Sequence, residues 1–209
     1  MKYLIAALIG GVLFAVPAQV AGAASAPLII TIHGGGFKAG APEDMMPIVK
    51  ALRAQGAPVV SLRYRLGSPA VAVASARYQV LKLHHRLPHR RLFAWGGSAG
   101  GTIALRLAAD GLVDRAVAAS PVTDLTALVF GQQPSVFWPG TTSDNRVASP
   151  HCPHAPTLML HAKDDTVIPI SESRQYALRC HVKLIVRSSG NHTLANTADL
   201  AGMKFLTRG

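Results

Sequence analysis

Little of this sequence is charged, aromatic or cysteine. Charged residues make up 15% of the 209 and aromatics 6%, against 49% hydrophobic residues. That balance, with a mean hydropathy of +0.28, excludes a disordered chain and a coiled coil. Two cysteines, Cys152 and Cys180, are too few for a cysteine-dense scaffold or an all-cysteine zinc site. Acids are scarce as well. Asp+Glu number 10 against 21 Lys+Arg, a net charge of +11, which becomes +10 if Lys2 leaves with a leader. An excess of that size points toward nucleic acid, an anionic surface or an acidic ligand as partners.

What is present begins with Lys2, an apolar run from Leu4 to Val16, and a small-residue stretch ending Ala21-Gly22-Ala23. A positive start, an apolar core and an A-x-A site define a secretory signal. The run is short of the ~20 residues a spanning helix needs, so an uncleaved anchor is the lesser alternative. Residues 1–23 are therefore read as a signal peptide and 24–209 as one domain, periplasmic or secreted, with no transmembrane span after cleavage. In an oxidising compartment two cysteines are expected to pair. Cys152 and Cys180 each precede an apolar run, so neighbouring parallel strands would bring them to the same sheet edge.

Six short apolar runs read as strands, the first two of them buried: Leu28–Ile32, Pro58–Leu62, Arg91–Trp95, Ala116–Ala119, Thr157–His161 and Val182–Val186. Between them lie helical patterns at Pro42–Gln55, Ala70–Leu87, Thr102–Ala109, Ser171–Arg179 and Leu194–Leu206. Pro121–Pro156 is irregular and polar, with Phe130, Phe137 and Trp138 embedded in it. Alternation of this kind predicts an α/β fold, a mostly parallel central sheet with helices on both faces.

The chemistry gathers where strands end. Trp95-Gly-Gly-Ser98-Ala99-Gly-Gly101 places a G-x-S-x-G between the third strand and a helix, the setting of a nucleophile elbow. Its flanking positions must be small because strand and helix nearly touch. His33-Gly34-Gly35-Gly36 follows the first strand, and glycine lets backbone N–H groups approach a developing oxyanion. Asp164 and Asp165 follow the fifth strand and His192 follows the sixth, which completes the chain order Ser, Asp, His. In a parallel sheet all of these fall on one edge.

Taken together, HGGGF at 33–37, YRL at 64–66, GGSAGG at 96–101, SPVTDL at 120–125 and DDTVIP at 164–169 resemble the HGGG-bearing bacterial esterases of the α/β-hydrolase fold, the hormone-sensitive-lipase-like carboxylesterases. The resemblance covers essentially the whole chain after the leader. It implies Ser98 as nucleophile, His192 as base and then acid, and Asp165 as the residue that orients His192, with Asp164 a neighbour. It also implies an oxyanion hole from the N–H groups of Gly34, Gly35 and Ala99, and a structural role for His33. The implied substrate is a small acyl ester, hydrolysed without metal or cofactor. Two departures stand out. Family members often carry Asp or Glu where this chain has Gly97, and little sequence precedes the first strand. The latter implies a reduced N-terminal region, an open pocket, an exposed sheet edge and a small or absent lid.

Other clusters read more weakly. His84, His85 and His89 with Arg86, Arg90 and Arg91 form a basic helix end, a solvated face or a contact for an anionic surface or polysaccharide. Arginines elsewhere lack the interleaved aromatics that stack bases, so nucleic acid is not expected. His151, Cys152 and His154 lack a matching second pair for zinc. Peptidase or amidase activity, polysaccharide deacetylation, and a non-catalytic binding protein on the same fold are the rival readings.

Overall fold

Apolar runs rich in Ile, Val and Ala, separated by amphipathic stretches, fold here into a single six-stranded sheet with helices packed on it. The computed structural model describes residues 26–127, 132 and 138–208. Its strands are β1 (Leu28–Ile32), β2 (Val59–Leu62), β3 (Leu92–Gly97), β4 (Arg115–Ala119), β5 (Thr157–Ala162) and β6 (Lys183–Arg187). They lie in the order β2-β1-β3-β4-β5-β6, and every neighbouring pair is parallel. The expected α/β architecture is therefore present, with strand limits within a residue or two of the sequence reading. The signal peptide and the start of the domain at residue 24 lie outside the described residues.

Alternation along each strand divides the core in two. Ile30, Ile32, Ala94 and Ala116 face one side, where α2 (Pro69–Arg86) and α3 (Ala99–Ala109) contribute Val73, Val80, Ile103 and Leu107. Ile29, Phe93, Trp95 and Leu160 face the other, against Ile48 and Leu52 of α1 (Met46–Ala54) and Leu206 of α6 (Leu200–Thr207). Burying each such side chain contributes about 1.5–3 kcal/mol relative to exposure. Strands covered on both faces are what continuous apolar runs require.

Three differences from the sequence reading have local causes. Helix α3 begins at Ala99 rather than Thr102, because the turn at Ser98 leads directly into it and Gly100 and Gly101 mask its first turn by their poor helix propensity. Within the irregular segment sits a short helix, α4 (Thr142–Ala148), started by a capping box in which Thr141 and Asp144 satisfy each other's backbone N–H groups. The closing helix is split. Asn191–Asn196 forms a 3₁₀ turn, and α6 starts afresh where the Asp199 carboxylate accepts from the Ala201 and Gly202 amides.

Cys152 and Cys180 form a disulfide with their Cα atoms 5.1 Å apart. Cys152 precedes β5, and Cys180 ends α5 (Ile170–Cys180) just before β6, so the bridge clips the sheet edge opposite the motif-bearing one. Among the described residues, no helix is long and apolar enough to cross a membrane.

Candidate active site

A parallel sheet ends all its strands on one edge, and here that edge collects the residues singled out by sequence. Ser98 follows β3, Asp165 follows β5 and His192 follows β6. Ser98 sits at φ 53°, ψ −122°, a strained conformation for a residue with a side chain. Its N–H donates to the Ala119 carbonyl at 2.8 Å, and its own carbonyl accepts from the Thr102 amide at 3.1 Å, so β4 and α3 hold the turn.

Ser98 Oγ lies 2.9 Å from His192 Nε2, and His192 Nδ1 lies 2.9 Å from Asp165 Oδ2. The carboxylate has no proton to give, so Nδ1–H donates to Asp165 and Nε2 is left to accept from the Ser98 hydroxyl. Asp165 is buried and heavily supplied with donors. Its Oδ1 accepts from the Val167 and Ile168 amides, each at 2.9 Å. Burial pushes the carboxyl up, but the hydrogen bonds from His161, His192 and these two amides outweigh it and hold Asp165 well below the usual carboxylate range. Asp164, by contrast, is exposed and accepts from the Asn191 amide at 2.8 Å, one residue before His192.

His161 is the residue the sequence reading quoted without a role. It is fully buried, with Nε2 3.3 Å from Asp165 Oδ2 and 3.0 Å from the Ile168 carbonyl. Two acceptors on one nitrogen place the proton there. Nδ1 then accepts from the Ser173 hydroxyl at 2.7 Å. A second donor thus fixes the carboxylate from behind, and the signal for it was the four-residue interval from His161 to Asp165.

The glycine loop after β1 forms the opposite wall. Gly35 adopts φ 98°, and a Cβ there would stand 2.2 Å from the Ala39 carbonyl oxygen, so only glycine closes this turn. A Cβ on Gly34 would lie 3.1 Å from Ser98 Cβ, which places the loop backbone directly beside the serine. His33 is buried and braces the loop. Its ring stacks on Tyr64 with centroids 4.2 Å apart, and Nδ1–H donates to the Gly34 carbonyl at 2.9 Å. Burial lowers the His33 imidazole below its ordinary value and so favours the neutral ring, outweighing the hydrogen bond to that carbonyl, which acts the other way. The Tyr64 hydroxyl donates to the same carbonyl at 2.9 Å, and burial with the nearby Asp44 charge pushes its phenol up, so it stays a donor.

Loop, serine and histidine enclose a cavity of about 440 Å³, lined also by Lys38, Trp138, Ile168 and Asn196. Trp138 reaches it as an aromatic wall, packed edge-on against Phe37 at 6.0 Å. Phe130 and Phe137, the other aromatics of that segment, lie outside the described residues.

The remaining clusters are elsewhere. The basic end of α2 leads into the start of β3, on the edge of the sheet opposite Ser98. There His84 Nε2–H donates to the Leu112 carbonyl at 2.9 Å, Arg90 Nε–H donates to the Ala26 carbonyl at 3.1 Å, and Arg91 lies over the Phe93 ring. The disulfide takes the Cys152 thiolate from the His151–His154 cluster, and among the described residues no group of three His, Cys, Asp or Glu is placed to share a metal.

No curated protein matches the sequence. Among solved structures, the apo form of esterase 2 from Thermogutta terrifontis matches at a TM-score of 0.72 with 20% identity, over 91% of this chain and 83% of that one. Its propionate-bound form matches at 0.71 with 20% identity, over 90% and 84%. The form phosphonylated by sarin matches at 0.70 with 18% identity, over 87% and 80%. At such identities these likenesses establish the α/β-hydrolase fold. The sequence profile of the BD-FAE family matches residues 15–121, about half of the chain, a span that contains the glycine loop and the Ser98 elbow. A match of that extent settles the kinship, and the chain belongs to BD-FAE, an esterase family of the α/β-hydrolase fold.

Proposed function

We propose that this protein is an exported serine esterase that hydrolyses small acyl esters through an acyl-enzyme. The observation that carries the reading is the unbroken hydrogen-bond chain from Ser98 through His192 to Asp165, presented at the mouth of a cavity. His192 Nε2 takes the Ser98 proton as Oγ bonds to the ester carbonyl carbon. Asp165 stabilises the imidazolium that results. The N–H groups of Gly34, Gly35 and Ala99 receive the oxyanion, with the positive end of α3 behind Ala99. Collapse breaks the bond to the alcohol, which leaves with the proton from His192. Water then repeats the sequence on the acyl-enzyme, giving the acid and restoring Ser98.

A relative of this fold that has been captured phosphonylated by sarin and with propionate bound supports a reactive serine and a short acyl group. Export is supported by the leader pattern and by the Cys152–Cys180 bridge, which persists in oxidising compartments. The test is hydrolysis of 4-nitrophenyl acetate by the mature protein. Wild type turns it over, and Ser98→Ala loses at least about 10³-fold of kcat. Equal rates for the two proteins would overturn the reading.

A further inference from the structure

Among the described residues that line the cavity in front of Ser98, one, Lys38, carries a formal charge. Among the described residues no carboxylate forms an ion pair with it. The chain has 10 acidic residues, and each has an ion-pair or hydrogen-bond partner other than Lys38. None of them lines the cavity, and Lys38 makes no ion pair with any. Residues 128–137, which lead to Trp138 on the cavity wall, contain no charged side chain.

The backbone that carries this lysine is fixed. The Lys38 and Ala39 amides both donate to the Gly35 carbonyl, at 3.1 and 3.0 Å. Phe37 is held at φ 65° with its ring fully buried, and its carbonyl accepts from the Gly67 amide at 2.8 Å. A non-glycine residue keeps such a conformation only where the surroundings over-determine it. Lys38 is thereby presented three residues after Gly35, on the same wall as the glycine N–H groups, and its side chain is exposed.

We propose that Lys38 selects esters that carry an anionic group, a carboxylate or phosphate, close to the scissile bond. This rests on the esterase reading above and names its substrate class. Asn196, which also lines the cavity, is a neutral hydrogen-bonding group and brings no opposing charge.

The experiment compares kcat/KM for two matched pairs with the mature protein. Methyl hydrogen succinate against methyl succinamate places the charge on the acyl side. O-acetylglycolate against O-acetylglycolamide places it on the leaving alcohol. Wild type prefers the charged member of at least one pair by about fivefold at low salt, the scale of a single solvent-screened ion pair, and loses that preference in 0.5 M NaCl, where the screening length falls toward about 4 Å. Lys38→Met brings the ratio to one or below, and Lys38→Arg keeps it. Lys50→Met, on the exposed face of α1, removes the same charge far from the cavity and keeps the ratio as well. No preference in either pair, or an equal loss in Lys50→Met, would overturn the proposal while neutral-ester turnover leaves the esterase reading intact. Absence of turnover on all four substrates would overturn both.

Discussion

Gly97 offers a sharp test of how the site is assembled. Related sequences often place an acid here, and the sequence alone required only that the position be small. The structure gives a stricter reason. A Cβ on Gly97 would stand 2.0 Å from the Ala195 carbonyl oxygen and 2.7 Å from its carbon. Both are backbone atoms, so no side-chain rotation relieves the clash. Ala195 belongs to the 3₁₀ turn Asn191–Asn196, the same turn that carries His192. Relaxing the contact to about 3.5 Å requires the turn to move by about 1.5 Å. The Ser98–His192 hydrogen bond, 2.9 Å long, is broken by a shift of that size. Overpacking of this kind costs about 2 kcal/mol, lowering Tm by about 4–8 °C in a domain of this size. Misplacement of a catalytic group by ~1 Å costs about 10²-fold in rate. Gly97→Ala should therefore stay folded by circular dichroism, lose a few degrees of Tm, and lose about 100-fold in kcat/KM on 4-nitrophenyl acetate. Activity and Tm both equal to wild type would refute the claim that this glycine sets the position of His192.

Asp165→Asn should lower kcat by about 10⁴-fold by fixing the wrong His192 tautomer, whereas Asp164→Asn, which alters one exposed hydrogen bond to the Asn191 amide, should cost less than about tenfold; steady-state kinetics of the two variants distinguishes them. The Cys152–Cys180 bridge closes a sequence separation of 28, so a Cys152→Ala/Cys180→Ala double variant should be destabilised by about 3.5 kcal/mol in urea denaturation. Asp165 and Asp199 both titrate below their ordinary values in the folded protein. A depressed folded pKa gives stability that is present above the unfolded value near 3.9 and is lost as pH falls below it, so Tm should drop steeply from about pH 4 downward and less steeply in Asp199→Asn.

How much of this was legible in the sequence varies by element. The six strands were, because β1, β3, β4 and β5, covered on both faces, read as nearly uninterrupted apolar runs, and the edge strands β2 and β6 are short apolar runs too. Ser98, Asp165 and His192 were legible because each directly follows such a run, and a parallel sheet puts run ends together. Helix α4 was hidden: its start depends on reciprocal hydrogen bonds between Thr141 and Asp144, and seven residues carry too little periodicity to show. The split of the last helix turned on Asp199, whose carboxylate also pairs with Arg187 of β6 at 2.8 Å, a contact with no local trace. His161 was in plain view but read as strand, since only the folded turn after β5 directs Asp165 back onto it. The strict need for glycine at 97 comes from a segment nearly a hundred residues away. Local propensity shows where chain elements lie, and non-local contacts decide which of their residues are constrained.

The central claim is that Ser98 is an activated nucleophile. The most direct measurement is reaction of the folded mature protein with a fluorophosphonate probe, followed by peptide mapping of the adduct by mass spectrometry. The account predicts one adduct, on the peptide containing Ser98, lost in Ser98→Ala and strongly slowed in His192→Ala. A folded wild type that takes no label, or takes it on another residue, would contradict it.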